Sequence, residues 1–466
     1  MEFKEPPTEL PTLSDLVTQL LLKDEPALIQ ALEKIPTGLY ASLFNAAFTG
    51  AHINILRQIV KIWPFPCLHM GTLTIREPQQ ELLKAMIESF QVTPDQSSAS
   101  WCSKLRILDL RQDAVLRITC PGNNDTSSVC FHSCIYYAQS AMCIPAQCRN
   151  ENAESEDHSS MQSLQIILDL SLNGTLKGRE FFSLLVRKVQ QSLGTLHLCC
   201  RDLKIDKLSD CKGSLSFLDL KCVDYLSVEQ ASLTEVTKLL TQMANLDSIN
   251  LSKIICRSLT GRTFKRFTTN LKRMTSLAEL NLSSFTLTNH LDCLLRVLPP
   301  TLEFLSLVFC ELSNNDFRFL SQCPQTNNLK LLNVSNNPLY WEDCGPFQHL
   351  LEKNSGTLQH LEMDHCLMTD STVSVLIPAL SQCSQLRLLS FACNPISMNV
   401  LMRILQHLTP LMELSHVIYP IPVHCYRRWH LQGSIDQQMF DDIEARLKSM
   451  LEAAKRSDMN WITYSD

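Results

Sequence analysis

Leucines recur through the second half of the chain in a fixed phrase, L-x-x-L-x-L. It opens at Leu215-Ser-Phe-Leu218-Asp-Leu220 and returns at Leu246, Leu277, Leu302, Leu329, Leu358 and Leu386. The starts lie 31, 31, 25, 27, 29 and 28 residues apart, a leucine-rich-repeat period. Alternation predicts one short strand per unit. Its fourth and sixth positions point into a core, and its third, fifth and seventh line the other face. The ninth position is polar or thiol, as this repeat requires, at Cys310, Asn337, Cys366 and Asn394; in the three units before it is Val223, Ile254 and Phe285. Between phrases the apolar spacing turns helical, as at 371–382 and 401–408. One unit cannot bury its apolar side alone, so units stack. The expected fold is α/β: a leucine-rich-repeat solenoid, a curved horseshoe with parallel strands inside and helices outside.

Weaker strand phrases precede these, at Leu105-Arg-Ile-Leu108-Asp-Leu110, at Leu164 to Leu170, and at Leu196-His-Leu198-Cys199-Cys200, whose two thiols should alternate inside and outside. Residues 120–160, rich in Asn, Ser, Asp, Glu and Cys, read as a partly disordered insertion. Toward the N-terminus, Leu13, Leu16, Leu20, Leu28 and Leu32 share a helical face, and a further helix is expected near 39–48. At the other end Ile435, Met439, Ile443, Leu447 and Met450 predict a helix over 435–451. Asp441, Asp442 and Glu444 early, and Lys448, Lys455 and Arg456 late, suit its dipole. Three regions follow: a helical N-terminal cap over 1–95, the solenoid over 96–416, and a C-terminal cap over 417–466.

Composition narrows the chemistry. Of 466 residues, 45% are hydrophobic and 19% charged, enough for a sizeable core. Lys and Arg number 41 against 47 Asp and Glu, a net charge of −6, which removes the footprint of direct nucleic-acid binding. No basic run of the usual targeting length is present; Lys272-Arg273 and Arg427-Arg428 are no more than pairs. No apolar run reaches a membrane span. The first residues, with Glu2, Glu5 and Glu9, lack a secretory pattern, so the expected location is cytoplasmic or nuclear, not secreted, and the 20 Cys are expected as reduced thiols. No phosphate-loop, H-E-x-x-H, G-x-S-x-G or dinucleotide glycine motif is present, and with 12 Gly no phosphate cradle is expected. Neither an enzyme nor a cofactor is expected. Cys130, Cys134, Cys143 and Cys148, with His132 between the first two, have spacings that could hold a tetrahedral zinc ion; the expected state is nevertheless reduced thiols in a disordered loop, and no metal site is assigned.

The face opposite the core carries the candidate binding residues. Position five reads Asp219, Asn250, Asn281, Ser306, Asn333, Glu362 and Ser390; position seven adds Lys221, Ser252, Ser283, Ser335 and Asp364; position three adds Glu279 and His360. This polar stripe is either a solvated sheet face or a docking surface for a protein or peptide. The cluster His360, Glu362 and Asp364 suits a basic partner segment.

Near the N-terminus, Ile35-Pro36-Thr37-Gly38-Leu39-Tyr40-Ala41-Ser42-Leu43 resembles a cullin box. Upstream, the stretch from Gln19 to Ile29 resembles an elongin-binding box, with Leu21 and Ile29 in its apolar positions. Glu25 stands where that box has Cys, Leu20 where it has a small residue, and Pro26 where its helix would continue. The same region, together with Ala46-Ala47-Phe48, Trp63-Pro64-Phe65, LHLCCRDLKI, Cys383-Ser-Gln-Leu386 and HVIYPIPVHCY, resembles the PRAME family, with the oogenesin-like branch the nearest. The resemblance implies a non-enzymatic scaffold that acts as a substrate-recognition subunit of a cullin-type ubiquitin ligase. Elongin B/C and a cullin scaffold would dock at Leu21, Ile29, Ile35, Pro36, Leu39 and Leu43. It further implies regulation of transcription, differentiation, apoptosis and proliferation. A corepressor or scaffold without ligase contact remains the alternative.

Overall fold

The computed structural model of the chain describes residues 13–70, 77–89, 104–111, 164–172, 176–192, 195–339, 344–426 and 435–463. The expected insertion at 120–160, with its candidate zinc ligands, lies outside them. The chain divides into two compact units, Met1–Leu203 with Gly213–Cys222, and Lys204–Lys212 with Val223–Asp466. This division falls at neither of the boundaries expected from sequence.

The first unit begins with four helices, α1 (Leu13–Leu21), α2 (Glu25–Ala31), α3 (Tyr40–Thr49) and α4 (Ile53–Lys61). Trp63 is fully buried where they meet, with its ring 5.6 Å from Phe44, 5.6 Å from Phe65 and 6.2 Å from Tyr40. Its indole N–H donates to the Cys67 carbonyl at 3.0 Å, and the Tyr40 hydroxyl to that of Leu32 at 2.8 Å. This packing accounts for the AAF and WPF blocks: each buried ring finds a geometrically fixed neighbour, and each polar tip finds an acceptor. Beyond it come β1 (Cys67–His69), α5 (Glu77–Ser89), β2 (Ile107–Asp109), β3 (Leu164–Leu172), α6 (Leu176–Gln191), β4 (Leu196–Lys207) and α7 (Leu208–Leu215). Strands β1, β2 and β3 pair in parallel, Leu68 with Leu108 and Leu108 with Ile166. Cys67, Ile107, Ile167, Cys199 and Cys222 form one apolar cluster. Cys199 and Cys200 do not alternate: both are buried, because β4 is covered on both faces there.

The second unit repeats one motif. Its elements are β5 (Tyr225–Ser232), α8 (Leu233–Leu240), β6 (Ser248–Ser252), β7 (Ile254–Ile255), α9 (Arg262–Lys272), β8 (Glu279–Ser283), α10 (Leu291–Leu295) and β9 (Phe304–Val308). They continue with α11 (Asn314–Gln322), β10 (Leu331–Asn333), α12 (Gly345–Lys353), β11 (His360–Glu362), α13 (Asp370–Leu380), β12 (Leu388–Ser390) and α14 (Met398–Leu408). The unit ends with β13 (His416–Ile418), α15 (Gln437–Ala453) and β14 (Asn460–Ile462). All but β7 form one parallel ladder whose central residues are Leu226, Ile249, Leu280, Leu305, Leu332, Leu361, Leu389, Val417 and Trp461. The first eight are buried. This is the expected leucine-rich-repeat solenoid, and four capped helix starts reinforce it. The Ser232, Ser313 and Ser397 side chains accept from the first turns they precede, and Thr369 forms a capping box with Thr372.

The rungs differ from expectation at both ends. The phrase at 215–220 is not a strand: Leu215 closes α7, and Leu220–Cys222 is a 3-10 turn. Apolar residues three apart suit a helical turn as well as a strand, so the phrase alone misleads. The rung is Val223-Asp-Tyr-Leu226-Ser-Val228, and Leu226 pairs with Ile249. At the far end, Leu414-Ser-His-Val417-Ile-Tyr419 makes another rung, and β14 adds one more beyond it. Arg456, expected at the α15 dipole, is instead buried; its guanidinium donates to the carbonyls of Thr409, Leu411 and Leu414 at 2.6–2.8 Å and is held by Asp458.

Six successive rungs, from Ile249 to Leu389, turn the same way. Lys253, Ser284, Phe309, Asn336, His365 and Cys393, each four residues past the central apolar residue, have φ between 51 and 60°. A chain so poor in glycine fills this left-handed position with other residues, of which Lys253, Ser284, Phe309 and Cys393 disfavour it more than Asn336 does.

Candidate protein-docking surface

On the solvent face of the ladder the register sets side chains in rows. At position three Glu279, Phe304, Leu331, His360 and Leu388 are successive neighbours. Parallel strands lie about 4.8 Å apart, so this row is a continuous track. Phe304, Leu331 and Leu388 are half-buried. A count of polar positions alone takes in Glu279 and His360 and passes over these three. The L-x-x-L-x-L phrase nevertheless contains them, one residue before each central leucine.

Beside the track runs the polar row. Asn250, Asn281, Asn333 and Glu362 are half-buried, as are His360 and Asp364. The Asn333 amide donates to Glu362 at 2.6 Å, and the Ser390 hydroxyl and Ala392 N–H donate to one Asp364 oxygen at 2.6 and 2.7 Å. Burial, then the neighbouring Asp364 charge, pushes the Glu362 carboxyl up; burial likewise pushes Asp364 up, against the hydrogen bonds it accepts. Burial, then Arg387, holds His360 below its ordinary range. Two partly desolvated carboxylates thus sit next to an apolar track, and the Asn281 amide oxygen is buried with no hydrogen-bond partner among the described residues. The arrangement fits a polypeptide that brings both an apolar row and donors or cations.

Five expected members of the stripe do not serve. Ser306, Ser335 and Ser390 are buried, the last 1% exposed with its hydroxyl turned to Asp364. Asp219 and Lys221 lie in the first unit, at the 3-10 turn of Leu220–Cys222, where the Asp219 carboxylate accepts from the Lys221 N–H at 3.1 Å.

The N-terminal boxes are split similarly. The Asp24 side chain caps α2 through the Ala27 N–H, with Pro26 in the first turn, so Leu21 and Ile29 stand on two separate helices and both are half-buried. Ile35 and Leu39 are half-buried and Pro36 is exposed. Leu43 is wholly buried in the aromatic core and cannot dock anything. The accessible apolar residues are others: Leu13, Leu16 and Leu20 of α1 are 78, 45 and 64% exposed, where the sequence pattern placed them on a capping face.

No group of three or more His, Cys, Asp and Glu among the described residues could hold a metal ion, and no described helix is long and apolar enough to cross a membrane.

Comparison with known proteins extends these observations. Residues 10–115 match the PRAME N-terminal domain and residues 164–464 the PRAME C-terminal domain. Human leucine-rich repeat-containing protein 14 is 31% identical, the match covering 97% of each chain. Human PRAME family member 20 is 32% identical over 96% of this chain and 93% of its own, and human PRAME family member 7 is 31% identical over 95% and 92%. A solved TLR13–ssRNA13 complex is 16% identical with a TM-score of 0.27, covering 68% of this chain and 47% of that one, too slight a likeness to bear on function.

Proposed function

The chain belongs to the PRAME family, and from that premise we propose that this protein-interaction scaffold is the substrate-recognition subunit of a cullin-type ubiquitin ligase. The ladder face holds a protein target, while the first unit docks elongin B/C and the cullin through the exposed α1 leucines and Pro36. The scaffold performs no bond chemistry; it raises the effective concentration of the target beside the conjugating enzyme. Regulation of transcription, differentiation, apoptosis and proliferation would follow from the target held. The observation that carries the reading is the ladder face itself. Its apolar track and desolvated carboxylates lie on the side opposite the central leucines and are left half-exposed. A reconstitution with purified elongin B/C and cullin tests it. Capture is expected, and Leu16→Ser combined with Leu20→Ser should abolish it while leaving the thermal midpoint unchanged. No capture by the unaltered chain would replace the ligase reading by that of a corepressor or scaffold without ligase contact.

A further inference from the structure

We propose that the outer face of α9 is a docking site for an acidic polypeptide segment, separate from the ladder face. Residues 248–278 hold seven of the chain's 41 Lys and Arg and no Asp or Glu. Lys253 is paired with Glu229 at 2.7 Å. Arg257, Arg262, Lys265, Arg266, Lys272 and Arg273 are exposed, and none makes an ion pair with a described residue.

Helical spacing turns the last five into a single row. Steps of three, one, six and one residues return to one face, about 16 Å long. The opposite face is fixed: Phe264, Phe267 and Leu271 are buried, and the Asn270 amide donates to the Thr237 carbonyl of α8 at 2.9 Å. Carboxylates on the elements around α9 are engaged elsewhere. Glu235 of α8 closes the capping box with Ser232, and Asp292 of α10 lies 3.9 Å from Arg296. Glu279, which follows the basic stretch, accepts from the Ser248 hydroxyl at 2.8 Å on the ladder. The helix therefore presents like charges held rigidly together with no ion-paired counter-charge, in a chain whose net charge is −6.

The row's chemistry favours carboxylates on a polypeptide over other polyanions. Its exposed positions hold cations and Thr269, with no aromatic side chain on which a nucleic-acid base could stack and no apolar residue to enter a lipid interface. The negative chain as a whole opposes the dense phosphates of a duplex, whereas a short acidic segment meets only the local field. Three of the five cations are arginines, whose planar forks match carboxylates two bonds at a time. A segment with a carboxylate on every turn of a helix, or on alternate residues of a strand, places about three of them along the row.

Fluorescence anisotropy of a labelled Asp/Glu-rich peptide with the full chain tests the proposal. Binding is expected at low salt, weakening as salt rises, and Arg262→Ser with Arg266→Ser should weaken it about tenfold. Both side chains are exposed, so an unchanged thermal midpoint is expected. Lys448→Ser, an exposed cation elsewhere, should leave binding unaltered. Equal affinity of the double variant, equal loss with Lys448→Ser, or tighter α9-dependent binding of a DNA duplex or an anionic phospholipid vesicle would each overturn it.

Discussion

Two stretches of the same ladder solve one problem differently. In the rungs of β10 and β12 the ninth position is a buried asparagine. The Asn337 carbonyl accepts from the Cys310 and Leu312 N–H groups, and its amide donates to the carbonyls of Leu307, Val334 and Ser335. Asn394 does the same with Cys366, Met368, Met363, Phe391 and Ala392. In the alternate rungs, β9 and β11, the Cys310 and Cys366 thiols donate to the Leu282 and Val334 carbonyls. In the rungs of β6 and β8 the same position is Ile254 and Phe285, and Phe285 stacks 6.2 Å from Phe267. The loop after Phe285 is held from outside, by the buried Asp316 carboxylate, which accepts from the Asn289 and Leu291 N–H groups. The apolar ladder fixes register in both stretches. Backbone satisfaction comes from an internal amide in one, and from filled volume with a borrowed carboxylate in the other.

The sharpest break of this comparison is Asn337→Ala. It leaves two buried N–H groups without their acceptor and takes a donor from three carbonyls, of which Val334 keeps the Cys366 thiol and Ser335 the Phe309 N–H, and should cost about 3–5 kcal/mol. Phe285→Leu, at the equivalent position one stretch earlier, changes only volume and should cost about 1 kcal/mol. Urea denaturation of both variants checks it; equal losses would mean that the asparagine ladder is packing and not satisfaction.

Next in size is the shared apolar ladder. Leu305, fully buried between Leu280 and Leu332, should cost about 2–5 kcal/mol as Leu305→Ala, whichever stretch it is counted with. Asn333→Ala, half-exposed one residue past the next rung's centre, should cost below about 1 kcal/mol. A loss with Asn333→Ala as large as that with Leu305→Ala would show the strand register to be shifted by one.

Six of the seven phrases legible in the sequence are rungs of this ladder, because a two-residue alternation repeated at one period suits stacked strands and little else. The seventh fails at Leu218, where an isolated match to the phrase is satisfied by a helix end. The rung at Leu414 is hidden because Val417 and Tyr419 replace leucines. The apolar track is masked for a different reason: Phe304, Leu331 and Leu388 share the composition of the core, and only the direction in which they point separates them from it. The cations of α9 do not stand out as a run, since the helix gathers residues three and four apart that the sequence scatters. Burial of Ser306 and Ser390 depends on neighbouring strands remote in sequence, which no local pattern reports.

The smallest effect returns to the two stretches through the turn that ends each rung. Ser284, after the Phe285-type strand, and Asn336, after the Asn337-type strand, both have positive φ, 54 and 60°. Asparagine tolerates this region and serine does not, so the two stretches carry unequal strain in the same turn. Glycine relieves that strain but frees the unfolded chain, and the two terms oppose each other. Ser284→Gly should therefore stabilise by about 0.5 kcal/mol, while Asn336→Gly should be neutral or slightly harmful. A thermal-midpoint comparison settles the sign for each. If both variants shifted alike, the asparagine at 336 would owe its presence to its side-chain contacts and not to its backbone, and the contrast between the stretches would reduce to the ninth position alone.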